Sequence, residues 1–329
     1  MILLLTALLN ITSAQAQTVK IDGSSTVFPI TEAVAEEFQT AKRNAFKVTV
    51  GISGTGGGFK KFCRGETDVQ NASRPIQASA KAGEAGEMDA CKKAGIKFFE
   101  LPVAFDAAAI VVNKSNTFLK QITVAELKKI WEPEAQGKVM KWKDVNPTWP
   151  DQPIKLYGAG ADSGTFDYFT EAVVGKAKAS RKDYTPSEDD NVLVKGISGD
   201  KNALGYLPYA YYEENKAELK IVPVVAAGKP IVPSRVTVEN GTYAPLSRPL
   251  FIYVNASAHK RPEVKEFVDF YLQNAPKLVE EVKYVPLPLE VYKMVQDTVQ
   301  KGKLGTAFAG HSQVGMKIQD LFKKDKRLE

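Results

Sequence analysis

Short runs in which apolar and polar residues alternate take turns along this chain with longer runs of helical spacing. Residues 19–22 alternate and predict a strand. After Pro29, apolar residues fall at Ile30, Ala33, Val34, Phe38 and Ala41, the spacing of one helix face, and the proline suits a first turn. Residues 47–52 predict a second strand, 58–62 the start of a short helix, and 69–72 a strand end. The long apolar stretch 98–113 predicts two strands with a break near Phe105 and Asp106. Further helices are expected over 124–131, capped by Thr123, and over 166–174, 264–272 and 289–299. Further strands are expected over 154–157, 221–225 and 250–254. Strands and helices in alternation predict an α/β fold. No solenoid repeat and no long Gly/Ser or Pro linker is visible. If two lobes exist, the chain crosses between them through short connections, for which Val112, Asn113 and Lys114, and Arg248 with Pro249, are the candidates.

The N-terminus reads as a targeting segment. Residues 2–9 are an apolar run, and Ala14-Gln15-Ala16 has the small-x-small shape that a signal peptidase accepts. The run is too short for a permanent membrane helix. A secretory signal over 1–16, cleaved after Ala16, is expected, although no Lys or Arg precedes the apolar run. The cleavage point holds no cysteine, and no later run reaches membrane-helix length. The expected location is periplasmic, with no lipid anchor.

Composition narrows the chemistry. The 329 residues suit about two ordinary domains, and 44% hydrophobic residues are enough for real cores. Two His and two Cys argue against a Cys/His-rich metal or redox enzyme, and no metal or cofactor is expected. Export gives Cys63 and Cys91 a simple reading as one disulfide, worth about 3–4 kcal/mol on the chain-entropy model. The alternative is two unpaired buried thiols. The net charge of +6 comes from 44 basic and 38 acidic residues, interspersed rather than gathered on one stretch. That pattern, with export, argues against nucleic acid.

One pattern recurs three times: a strand ends, a cluster of hydroxyl residues and glycine follows, and a helix begins. The first cluster runs from Asp22 through Gly23, Ser24, Ser25, Thr26 and Val27 to Pro29. The second holds Ser53, Gly54, Thr55, Gly56, Gly57 and Gly58, and the third Asp162, Ser163, Gly164, Thr165 and Phe166. A helix start offers unpaired N–H groups and the positive end of the dipole. Glycines admit an anion close to the backbone, and hydroxyls add donors without charge. Together they predict a site for a small tetrahedral oxyanion. Ser73-Arg74-Pro75 ends the third strand in the same region, and the Arg74 guanidinium suits a bidentate fork to such an anion.

An enzyme is the main rival. Neither Ser53 nor Ser163 lies in a Gly-x-Ser-x-Gly elbow, no Walker or dinucleotide fingerprint is present, and His259 and His311 lie in no metal spacing. A binding protein without catalysis is therefore expected.

The motifs, taken in order, resemble a known family. They are residues 22–29, 53–59, 71–76 (Asn-Ala-Ser-Arg-Pro-Ile) and 162–169 (Asp-Ser-Gly-Thr-Phe-Asp-Tyr-Phe), then Gly205 and Tyr206, Tyr209 to Tyr211, and 247–251. This is similar to the phosphate-binding protein (PstS family) of the bacterial high-affinity phosphate ABC importer, in its cyanobacterial-type branch. The resemblance covers nearly all of the mature chain. It implies a type II periplasmic-binding-protein fold, with lobe one from 18–112 plus 249–329, lobe two from 113–248, and phosphate in the cleft. It implies Ser25, Thr26, Val27, Ser53 and Thr55 as donors of lobe one, beside Ser73 and Arg74, with Ser163, Gly164 and Thr165 closing from lobe two. It also implies a monomer that delivers inorganic phosphate to a membrane permease.

The chain departs from the best-known branch, which has Asp at the position of Arg74 and Arg at the position of Ala159. The cation is thus expected to have changed lobe, and the acidic acceptor for the phosphate proton to lie elsewhere, at Asp162 or Asp106. Such an acceptor would discriminate against sulfate, which carries no proton near neutral pH. Another tetrahedral oxyanion, sulfate or arsenate, is the nearest alternative ligand, and a phosphatase a more distant one.

Overall fold

Thirteen strands and eleven α-helices run through the residues that the computed structural model describes, namely 17–78, 86–161, 163–187, 189–226, 228–282, 284–308 and 327. The expected leader, Asp162 and His311 lie outside the described residues. In chain order the elements begin with β1 (Gln17–Gly23), α1 (Phe28–Ala41), β2 (Phe46–Val50), α2 (Gly54–Phe62), β3 (Val69–Ala72), α3 (Glu87–Lys93) and β4 (Phe98–Asn113). They continue with β5 (Ile122–Thr123), α4 (Val124–Trp131), α5 (Trp142–Val145), β6 (Lys155–Ala159), α6 (Gly164–Val174), β7 (Thr185–Ser187) and α7 (Asp190–Gly199). Next come β8 (Ala203–Pro208), α8 (Tyr209–Asn215), β9 (Leu219–Ile221), β10 (Val224–Ala226), β11 (Lys229–Ile231) and α9 (Arg235–Glu239). The last are β12 (Ser247–Asn255), α10 (Pro262–Glu281), β13 (Val285–Pro286) and α11 (Leu289–Gln300).

Local signals account for several of these bounds. α4 starts where expected because Thr123 and Glu126 form a reciprocal capping box: the Glu126 N–H donates to Thr123 Oγ1 at 3.1 Å and the Thr123 N–H to Glu126 Oε2 at 2.8 Å. α1 buries Ile30, Val34 and Phe38, three of the five positions read as its apolar face; Ala33 is half-buried and Ala41 exposed. The strand expected over 221–225 is instead divided into β9 and β10, with Pro223, which has no N–H to give a ladder, between them.

The largest departure is β4. The expected break at Phe105 and Asp106 does not exist: all sixteen residues form one strand, buried throughout. Asp106 is accommodated because Arg248 stands directly opposite it on β12. What changes along β4 is its partner. From Phe98 to Ala107 it pairs antiparallel with β12, and from Ala108 to Val112 with β8. The hand-over falls at Ala107 and Ala108.

β4 thereby joins two half-sheets into one curled sheet of order β2-β1-β3-β12-β4-β8-β6-β7. β1 runs parallel to β2 and β3, and β6 parallel to β7 and β8. α1 and α10 cover the first half, where the Phe38 ring meets Phe267 and Phe270 edge-on at 5.4 and 5.5 Å. On the second half Phe169 stacks on Tyr206 at 3.7 Å and Trp131 meets Tyr206 edge-on at 4.9 Å. Cys63 and Cys91 form the expected disulfide, which fastens the end of α2 to α3. No helix among the described residues is long and apolar enough to cross a membrane.

Candidate functional site

The first junction leaves β1 through Gly23. Its φ of +137° and the Asn71 carbonyl oxygen, 2.2 Å from where a Cβ would stand, leave room only for glycine. The chain then passes Ser24, whose N–H donates to Asn71 O at 2.9 Å, and enters α1 after Val27. No side chain caps α1; the Phe28 N–H at its start donates to Ser24 O at 3.1 Å, and Pro29, its second residue, has no N–H. Ser25 is half-buried and Thr26 buried.

The second junction lies beside the first. The Ser53 N–H donates to Gly23 O at 3.1 Å, and its hydroxyl donates to Asp22 Oδ1. The other Asp22 oxygen accepts from Lys61 at 2.6 Å. α2 begins at Gly54, four residues earlier than anticipated, so the glycine run is helix rather than loop. Packing overrides its poor propensity: a Cβ at Gly58 would stand 2.6 Å from Gly23 Cα and 2.1 Å from Gln70 Oε1. No side chain caps α2 either. Thr55 Oγ1 lies 3.0 Å from Ser73 Oγ and accepts from the Ser73 N–H at 3.1 Å. The two hydroxyls carry two hydrogens and share one bond, which leaves one hydrogen for a ligand.

The third junction starts α6. Ser163 is its N-cap, with Oγ accepting from the Thr165 N–H at 3.1 Å, so the Ser163 hydroxyl hydrogen is available to another acceptor. Thr165 is buried. Gly164 is the first helical residue.

Two arginines tie these junctions together. Arg74 leaves the end of β3 and lies over α2, its Nη2 3.6 Å from a Cβ position at Gly56 and its guanidinium 5.8 Å from the Phe59 ring centre. Its fork is not open to an anion as expected. Nη1 donates to Glu87 Oε2 at 2.8 Å and to Pro75 O at 3.1 Å, and Nη2 donates to Glu87 Oε1 at 2.7 Å. Burial lowers the Arg74 pKa, but the hydrogen bonds and charge of Glu87 outweigh it and hold the group above its ordinary value. What Arg74 offers a ligand is its positive charge and the remaining N–H of Nη2.

Arg248, read from the sequence as a chain crossing and as part of the 247–251 motif but not as a site residue, is the second. It is buried, donates from Nη2 to Asp106 Oδ2 at 2.9 Å and to Thr26 Oγ1 at 3.3 Å, and lies over the Tyr168 ring at 4.6 Å. It therefore touches the first junction on one side and α6 on the other. Asp106, one of the two expected proton acceptors, is engaged by Arg248 instead. Asp162, the other, lies outside the described residues. The first turn of α6 brings in a carboxylate that the sequence reading did not select, that of Asp167. Burial pushes its pKa above the ordinary carboxylate range, against the charges of Lys178, Arg74 and Arg248 and with that of Glu171.

Three helix starts that lack a side-chain cap or carry a hydroxyl cap, with two arginines beside them, suit a small oxyanion. Comparison with known proteins agrees. A PBP superfamily domain is matched over residues 10–275. The chain is 52% identical to protein SphX of Synechococcus elongatus over 95% of its own length and 90% of that protein's. It is 41% identical to the phosphate-binding protein PstS of Staphylococcus saprophyticus over 87% of its length and 84% of that protein's. Among solved structures, a possible phosphate-binding protein from Planctomyces limnophilus aligns with TM-score 0.72 and 49% identity, covering 88% of this chain and 99% of that one. A putative phosphate ABC transporter substrate-binding protein from Clostridium perfringens, solved with bound phosphate, aligns with TM-score 0.63 and 27% identity, covering 83% and 100%.

Proposed function

The chain belongs to the PstS family of phosphate-binding proteins within the PBP superfamily, and on that premise we propose that it captures inorganic phosphate outside the cytoplasm and delivers it to the permease of an ABC importer. Binding is non-catalytic. The observation that carries this reading is the pair of arginines, Arg74 and Arg248, set among three helix N-termini, with Arg248 reaching Thr26 on one side and Tyr168 on the other.

In this reading the half-sheet holding β1, β2 and β3 is lobe one, and the half holding β6, β7 and β8 is lobe two. Phosphate takes the donors of Ser25, Thr26 and Val27 ahead of α1, the N–H groups at the start of α2 after Ser53, and the free hydrogen of the Thr55–Ser73 pair. From the other side come the Ser163 hydroxyl, the N–H of Gly164 and the Thr165 hydroxyl. Arg74 and Arg248 supply the positive charge. Charge-assisted bonds of about 1.5–3 kcal/mol each, several together, reach the roughly 8 kcal/mol of micromolar binding after desolvation.

Calorimetric titration of the mature protein with phosphate, arsenate and sulfate tests this. Phosphate and arsenate, alike in shape and protonation, should bind and compete. Sulfate binding without a phosphate response overturns the assignment. Release of phosphate from an ester substrate would overturn the non-catalytic part alone.

A further inference from the structure

The peptide group between Pro75 and Ile76 is held on both sides. Its carbonyl, that of Pro75, accepts from Arg74 Nη1 at 3.1 Å. Its N–H, that of Ile76, donates to the Tyr253 hydroxyl at 2.8 Å. A peptide group is planar, so fixing the N–H also fixes the direction in which the carbonyl points. Tyr253 stands on β12, fully buried, and reaches Arg74 by a second route. Its ring meets Phe59 edge-on at 4.9 Å, and Phe59 is the ring over which the Arg74 guanidinium lies.

The Tyr253 hydroxyl is itself aimed. An amide N–H can only donate, so the tyrosine oxygen accepts from Ile76 and its own hydrogen goes to Glu100 Oε2 at 2.7 Å. Glu100 faces Tyr253 across the β4–β12 ladder and is fully buried. Its carboxyl is fixed in turn by the Thr306 hydroxyl at 2.6 Å and the Ala307 N–H at 2.8 Å. A hydroxyl that donates one bond becomes a better acceptor of another, so each link from Glu100 through Tyr253 to Ile76 strengthens the next.

We propose that Tyr253 is a positioning residue for Arg74, with Glu100 orienting its hydroxyl. Glu87 grips both terminal nitrogens of Arg74, but it stands on α3, so by itself it would let the ion pair shift as a unit against α2. The Pro75 carbonyl and the Phe59 ring supply the missing reference, and Tyr253 sets both of them. Fully buried, it acts on the anion only through Arg74, whose remaining Nη2 hydrogen it keeps in place. This deepens the proposed function and rests on Arg74 serving the phosphate of this cleft.

Calorimetric titration of wild type, Tyr253→Phe, Arg74→Met and the double variant with inorganic phosphate tests the assignment. Tyr253→Phe keeps the ring and removes the hydroxyl, and its phosphate affinity should fall about tenfold. The double variant should bind as Arg74→Met does, because a residue that acts through Arg74 has nothing left to act on. A general structural defect instead multiplies the two losses. If Arg74→Met binds too weakly to measure, Arg74→Lys, which keeps the charge without the fork, takes its place, and the loss from Tyr253→Phe should shrink there to about twofold. Should Tyr253→Phe fail to fold, as read by circular dichroism, Glu100→Gln, which deprives the hydroxyl of its carboxylate, should give the same dependence on Arg74. Wild-type affinity in a folded Tyr253→Phe, or losses that multiply, overturns the role of Tyr253 and leaves phosphate capture standing; a wild-type protein that ignores phosphate overturns both.

Discussion

Asp106 and Arg248 face each other across the β4–β12 ladder, one residue before β4 leaves β12 for β8, and their side chains meet at 2.9 Å with 3% and 5% exposure. Removing either partner strands a buried charge, which costs about 3–5 kcal/mol. Arg248→Met and Asp106→Leu, each alone, should lose about that much in urea unfolding. The double variant should recover most of the loss, because two apolar side chains leave no charge behind. It should nevertheless fail to bind phosphate, because Arg248 also serves Thr26. A double variant with wild-type affinity would remove Arg248 from the site.

The disulfide has a reach beyond stability. Cys91 is four residues past Glu87 on α3, and Cys63 ends α2, over whose start Arg74 lies. Replacing both cysteines with alanine should cost about 3–4 kcal/mol on the loop-entropy model for a separation of 28 residues. It should also weaken phosphate binding, since Glu87 then holds Arg74 less firmly. Thermal melts and calorimetry on the same preparation separate the two effects.

Gly58→Ala should damage the site without touching a ligand-facing residue. The added methyl meets Gly23 Cα and Gln70 Oε1, both at less than contact distance. Such overpacking costs typically about 1–3 kcal/mol and pushes the start of α2 away from β1. The expected outcome is a lower midpoint in urea and weaker phosphate binding. Gly95→Ala, where a Cβ meets nothing within 4 Å but φ is +70°, gives the control: a modest loss of stability with binding intact.

The Asp167 carboxyl carries a pH signature in the unliganded protein. Burial raises its folded pKa, so the native state holds its proton above the pH at which the unfolded chain, near about 3.9, releases it. Its contribution to stability is therefore fully present below that value and is lost as pH rises through the folded pKa. Asp167→Asn removes the loss. Without phosphate, the variant should melt higher than wild type at neutral pH, and the gap should close in mild acid. Equal melting temperatures at both pH values would contradict this.

Helix starts were legible because their chemistry is local. Thr123 and Glu126 cap α4 within one turn, and Ser163 caps α6 two residues from its acceptor's donor. The cysteine pair was legible from the expected compartment. What escaped the reading depended on partners far along the chain. Asp106 looked like a strand breaker because Arg248 is 142 positions away. The glycine run before Phe59 looked like loop because the reason for it, the close approach to Gly23, belongs to another strand. Arg74 looked free because Glu87 lies in a segment with no clear periodicity. Arg248 and Asp167 were overlooked for a related reason: burial, which gives a charge its meaning here, is a property of the folded surroundings.

β4 is unbroken, and this sets the mechanics of the molecule. A hinge made of loop has slack, and a ligand must spend part of its binding energy taking that slack up. A continuous strand laddered to a neighbour on both sides of Ala107 and Ala108 has none to take up. The two half-sheets share one continuous beam in β4, and the chain returns between them into β12, which is laddered to that same beam. Little disorder then has to be removed when the anion arrives, and the donors around it can meet it already close to register.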